Sequence, residues 1–368
     1  MTKRTAGKIF LGFLSFAFLL VIGILVMEIA LRISNKYPVV GIQYNNTEIW
    51  HWHKNLNSTT HDEESGSFVQ HTDKFGFRNY GKDYAKSDNT FRILIIGDSY
   101  TAGLTHADDK IFTALLEKKL EGLNVSGKKI EVFNMACPAW GAEQQFLVLK
   151  NYGLFAKPDY VLIMTCPNDI RETYNKRFAY LQDGVVKFNP IPFTKNEILK
   201  WKLACYSNLY QYLQAQVFKT NYGTFDMLMN KFRFNFGKED ADSWDRPMFL
   251  KQSFPELDEA WQLYFTLIED AGKLCATNGI KFAVSSTPFL IEYNGAMQKD
   301  TTMQPGIVAE KIGGFCQSKG IPYVNLYDRF KNEKDPVSLF RPNDEHFNAR
   351  GHEVTAEGLA VFFKEDLK

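Results

Sequence analysis

An α/β fold on a central parallel sheet is predicted by three observations. Short β-branched, apolar runs recur from residue 91 onward, helical patterns separate them, and glycine-containing turns mark several junctions. The predicted strands are 91–96, 130–134, 159–165, 280–286 and 321–326, with helices at about 108–121, 142–152, 257–278, 306–319 and 349–366. Phe91-Arg92-Ile93-Leu94-Ile95-Ile96 is apolar almost throughout, as a buried parallel strand requires. The helix at 257–278 is long and amphipathic through Leu257, Trp261, Phe265, Ile268 and Leu274. Asn278-Gly279 and Lys319-Gly320 supply glycine stops before the next strands.

Ahead of this pattern, residues 9–27 run IFLGFLSFAFLLVIGILVM without a charge, and about 20 such residues at a rise of 1.5 Å match a bilayer core of roughly 30 Å. The apolar run exceeds the 7 to 15 residues usual for a cleavable signal, and Glu28-Ile29-Ala30-Leu31-Arg32 offers no small-residue cleavage site. Lys3, Arg4 and Lys8 precede the span while Arg32 and Lys36 follow it, which orients the N-terminus inside and the remainder outside, in a periplasmic or extracellular setting. The expected organisation is therefore an N-terminus and anchor at 1–35, a loosely packed connector at 36–90, and an α/β domain at 91–368. Residues 170–255 depart from the βα rhythm and are rich in aromatic side chains, among them Trp201, Tyr206, Tyr210, Tyr212, Phe232, Phe234, Phe236 and Trp244. An insertion directly after a strand's C-terminal end is expected to form a lid or substrate cap.

With 368 residues, 45% of them hydrophobic and 15% aromatic, the chain can bury a large core. Its 43 basic and 42 acidic residues leave a formal charge of +1, which lacks the basic excess of a nucleic-acid binder. Cys137, Cys166, Cys205, Cys275 and Cys316 are odd in number and form no CxxC pair, so neither a zinc site nor a disulfide framework is indicated. Cys137 and Cys166 both follow predicted strands, where an oxidising exterior would permit a bridge. His51 and His53 lack a third ligand at a recognisable spacing and are assigned to surface or packing roles, and His106 to a surface.

Four segments fall at strand ends or in the last loop: Gly97-Asp98-Ser99-Tyr100-Thr101-Ala102-Gly103, then 134–141 (NMACPAWG), then Cys166-Pro167-Asn168-Asp169, and finally Asn343-Asp344-Glu345-His346-Phe347-Asn348 with Gly351-His352 beyond it. The C-terminal edge of a parallel sheet is where such folds place ligands, and a serine there is a candidate nucleophile. In this order the blocks resemble the SGNH hydrolases of the GDSL esterase and lipase superfamily, over roughly 91–166 and 280–366. The resemblance implies a flavodoxin-like three-layer sandwich in which Ser99 is the nucleophile, His346 its general base and Asp344 the acid that orients the imidazole. It also implies an oxyanion site made by the Ser99 amide, the Gly141 amide and the Asn168 side chain, and no metal or organic cofactor.

Two departures from the family pattern stand out. The acid lies two residues before the histidine, because position 343 is Asn343, and this DxH spacing is similar to that of membrane-associated, alginate-type O-acetyltransferases. Tyr100 replaces the name-giving leucine, a change that affects packing. His352 receives no proton-transfer role from the resemblance. The function expected is an anchored, outward-facing ester hydrolase acting on acyl groups of cell-envelope glycans or lipids through a Ser99 acyl-enzyme. Two alternatives remain open from the residues: an acyltransferase supplied by a membrane partner, and a catalytically silent anchored scaffold.

Overall fold

The computed structural model describes residues 3–34, 36, 41–62, 64–123, 125, 127–191, 193–218, 246–342 and 344–368. Five parallel strands form the central sheet: β1 (Thr90–Gly97), β2 (Lys129–Ala136), β3 (Tyr160–Thr165), β4 (Lys281–Ser286) and β5 (Tyr323–Asn325), in the order β5-β4-β3-β1-β2. This is the α/β class expected, and the strand bounds fall within about two residues of those read from the sequence. The chain winds outward from β1 to β2, then crosses back to place β3 on the other side of β1. That reversal puts a topological switch point at the C-terminal end of β1, where doubly wound sheets bind ligands.

Burial explains why these runs are strands. Ile93, Leu94, Ile95 and Ile96 are all fully buried, so consecutive residues, which point to opposite faces, both meet helices. On one face α2 (Phe112–Lys119) and α7 (Ala349–Asp366) supply Phe112, Leu116, Leu359 and Phe363, which pack on Ile93, Ile95, Val132 and Leu162. Other helices of the domain include α3 (Ala142–Val148), α4 (Pro167–Lys176), α5 (Pro255–Thr277) and α6 (Ile307–Lys319).

Residues 45–90 are not the loose connector expected. Trp50 is fully buried and donates its indole N–H to the Pro138 carbonyl at 2.9 Å, while Trp140 returns a bond of 2.9 Å to the Trp50 carbonyl. Arg78, also buried, bonds the carbonyls of Ala102 (2.9 Å), Gly103 (2.5 Å) and His106 (2.9 Å) and so grips the turn that follows β1. Arg92 likewise caps the Asp83, Tyr84 and Ala156 carbonyls. Residues 57–71 form an antiparallel hairpin, Asn57–Asp62 with Gly66–His71. The segment is tightly held because buried carbonyls need donors, and Arg78 within it and Arg92 on β1 provide them. His51 is buried with its ring edge-on to Phe77 and Trp140, the packing role expected.

A second compact unit contains α1 (Lys3–Ser34), residues 41–44 and the described insertion residues 193–218. Within α1, Gly7–Ser34 is long and apolar enough to cross a membrane, with an 18-residue stretch of mean hydropathy 2.9. Glu28 accepts bonds from the amides of Asn208 (3.0 Å) and Leu209 (2.9 Å) and thereby caps the helix Asn208–Phe218. Trp201 donates to the Ile42 carbonyl at 2.9 Å. These bonds tie residues 193–218 to α1 and to residues 41–44 within this unit. Phe232, Phe234, Phe236 and Trp244 lie outside the described residues, as does Asn343.

Candidate active site

At the end of β1 the backbone turns abruptly into the short helix Ser99–Ala102. Gly97 makes the turn possible, since a Cβ there would meet Thr101 Oγ1 at 2.2 Å and the Met164 carbonyl at 3.1 Å. Asp98 caps the helix by accepting the Tyr100 amide at 3.0 Å, and its other neighbours are Cys166 Sγ (3.1 Å), Asn168 Nδ2 (3.4 Å) and Ser99 Oγ (3.5 Å). Full burial pushes the Asp98 carboxyl above its ordinary value, against the hydrogen bond from Cys166 and the charge of His346. Ser99 itself stays partly exposed.

The partner comes from the other end of the chain. Asp344–Phe347 is a strand paired antiparallel with Phe340–Arg341, and side chains two apart on a strand share a face. The DxH spacing therefore sets the Asp344 carboxylate beside the His346 ring. Asp344 Oδ1 accepts both the His346 amide at 3.1 Å and Nδ1 at 2.5 Å, and Nε2 stands 2.8 Å from Ser99 Oγ. With Nδ1–H directed at the carboxylate, Nε2 is left as the acceptor for the serine proton. Burial favours neutral imidazole, but the bond and charge of Asp344, with Asp98 and Glu345, outweigh it and hold His346 above its ordinary 6.5. Burial would raise Asp344, yet the bonded imidazole and the Arg341 charge bring it down to about 2.

Tyr100 does more than replace a leucine. Its ring stacks on Phe289 (5.3 Å between centroids) and lies 4.8 Å from the His346 ring, and its hydroxyl donates to the Glu345 carbonyl at 2.7 Å. The residue thus braces His346 from the helix that carries Ser99.

The three expected oxyanion donors fare differently. No partner for the Ser99 amide is found among the described residues. Asn168, in the first turn of α4, has its Nδ2 toward Asp98 and a buried Oδ1 with no partner among the described residues. Gly141 requires correction: its amide donates to Gln144 Oε1 at 3.2 Å, and a Cβ there would sit 2.5 Å from Thr173 Oγ1. Its role is to let α3 approach α4, where the Ala142 amide bonds Thr173 Oγ1 at 2.7 Å. Two residues earlier, Ala139 holds a left-handed φ of 59°, is partly exposed, and has an amide with no partner among the described residues. Nothing in an alanine codon position announces that conformation, which is why the sequence did not reveal it.

The remaining candidates are structural. His352 is fully buried, accepts the Phe112 amide at Nδ1 (3.3 Å), and is kept neutral by burial, which drives it well below its ordinary value. His106 is buried rather than on the surface, with its ring 4.8 Å from that of His352. Cys137 and Cys166 are free buried thiols. Among the described residues no group of three or more His, Cys, Asp or Glu side chains is arranged to hold a metal.

No family model matches the chain, and no curated protein does. Solved structures with a similar path include an alpha/beta hydrolase from the metagenome of Lake Arreo, Spain (15% identity, 77% of this chain and 99% of that one, TM-score 0.42). A lipase/acylhydrolase from Enterococcus faecalis (13%, 76% and 97%, 0.40) and an acetyl xylan esterase (10%, 74% and 98%, 0.39) are similar at the same level. The chemistry assigned to the site rests on its own distances.

Proposed function

We propose that this protein is a serine ester hydrolase, anchored in a membrane by α1 with its α/β domain on the non-cytoplasmic side, and that it removes short acyl groups from envelope glycans or lipids. The observation that carries this reading is the continuous chain Ser99 Oγ to His346 Nε2 (2.8 Å) and His346 Nδ1 to Asp344 Oδ1 (2.5 Å). His346 takes the Ser99 proton as Oγ attacks the ester carbonyl, Asp344 stabilises the imidazolium, and the proton then passes to the leaving alcohol. Water, deprotonated by the same imidazole, releases the acyl group and regenerates the hydroxyl. The Ser99 amide, Asn168 Nδ2 and the Ala139 amide are the donors assigned to the oxyanion. Each such donor is typically worth about 100- to 1000-fold in turnover. Anchorage is supported by the uncharged run at 9–27 and the three basic residues ahead of it.

A fluorophosphonate probe on the full-length protein in detergent tests this directly. Wild type is expected to label covalently and Ser99→Ala not at all. A folded wild type that fails to label, or equal labelling of both, contradicts the assignment and favours a silent scaffold.

A further inference from the structure

Asp344 is held from two sides. Its Oδ1 serves His346, while Oδ2 accepts from Arg341 Nη1 at 3.1 Å, directly across the short ribbon. Arg341 is itself pinned: Nη2 donates to Asp62 Oδ2 at 2.6 Å and Nε to Glu64 Oε2 at 2.6 Å. Its side chain is only 10% exposed. Asp62 is fixed in turn, because its Oδ1 accepts the amides of Glu64 (3.0 Å) and Ser65 (2.7 Å) at the turn of the 57–71 hairpin. A guanidinium with both terminal nitrogens and Nε engaged by carboxylates is a clamp rather than a substrate ligand.

We propose that Arg341 is a positioning residue for the Ser99–His346–Asp344 site, and that Asp62 and Glu64 hold it there, so the hairpin preceding the sheet forms part of the hydrolytic apparatus. The proposal rests on the ester hydrolase reading. One cation between Asp344 and two further carboxylates orients the acid without cancelling the negative field on the imidazole. The charged and titratable groups facing His346 are Asp344 and Glu345 on its own strand, Tyr100 on the short helix after β1 with its ring 4.8 Å away, Asp98 at the end of β1 and, at longer range, His352 on α7. Arg341, Asp62 and Glu64 stand behind Asp344.

The sign of each substitution follows. The base must be neutral to act, so the acid limb of kcat/KM tracks the imidazole, which Asp344 and its neighbours raise from its ordinary value. Arg341→Gln removes a positive charge, favours the imidazolium and moves the limb to higher pH. Asp62→Asn with Glu64→Gln removes two negative charges and moves it to lower pH. Each shift is about half to one pH unit for charges at this remove. Loss of orientation lowers kcat by about ten- to a hundredfold in Arg341→Gln with KM little changed.

The experiment is a pH–rate profile for p-nitrophenyl acetate hydrolysis by the full-length protein, its two charge variants and Ser99→Ala. Limbs displaced in opposite directions support the proposal. Limbs that stay put, or move together, overturn it, provided wild-type turnover vanishes in Ser99→Ala. Wild-type turnover that survives Ser99→Ala, or is absent, brings down the hydrolase reading instead. Should Arg341→Gln not fold, the double variant decides alone, since its amide oxygens can still accept from the guanidinium while two negative charges are gone: a lowered limb supports the clamp and an unmoved or raised one refutes it.

Discussion

The two halves of the site are held by different forces. On the Ser99 side the fold itself does the positioning: β1 is buried on both faces, Gly97 lets the chain turn against Thr101, and Arg78 grips the carbonyls that follow. On the His346 side a two-stranded ribbon, seated by the buried Phe340 and Phe347 and braced by Tyr100, carries a partly exposed acid, Asp344, 33% exposed and tied to Arg341. The comparison teaches that the serine inherits its place from core packing, whereas the orientation of the imidazole adds side-chain charges to a smaller apolar seat. Screened, pairwise contacts are easier to alter one at a time than a close-packed interior.

Substitutions sharpen this contrast. The largest effect is expected at the imidazole: His346→Ala should lower kcat by about 10,000-fold or more. Because that side chain is 20% exposed, its loss should leave the Tm within a few degrees of wild type. A core truncation on the other side, Leu116→Ala, should cost about 2–5 kcal/mol of stability instead. Equal destabilisation by the two changes would erase the distinction. Next comes Asn168→Ala, expected to reduce kcat by about 100- to 1000-fold with KM almost unchanged, as steady-state kinetics would register. Gly141→Ala is the smallest: added bulk against Thr173 should cost about 1–3 kcal/mol in denaturant melts, with any surviving folded enzyme keeping its kcat. Unchanged stability would contradict the close-approach role of Gly141.

The sheet was legible because its information is local. Runs such as residues 91–96 and glycine stops such as Gly320 declare strands and helix ends within a few residues of themselves. Ser99, His346 and Asp344 were legible for a related reason, since each sits in a short block whose residue types are unusual together. What escaped depends on contacts distant in sequence or on backbone shape. Arg341 and Asp62 are 279 positions apart, and neither carries a local sign of the other. The Arg78 clamp, which makes residues 45–90 integral to the domain, is invisible for the same reason. Gly141 misled because a glycine needed for close helix approach looks identical to one offering an amide, while the left-handed turn at Ala139 has no signature at all.

The central claim is that Ser99 carries the acyl group between the two half-reactions. Acid-quenching the full-length protein during p-nitrophenyl acetate turnover and mapping its peptides by mass spectrometry tests this most directly. The account predicts an acetyl adduct on the peptide containing Ser99, absent from His346→Ala. An adduct confined to another residue, or none in a preparation that turns over the ester, would contradict it.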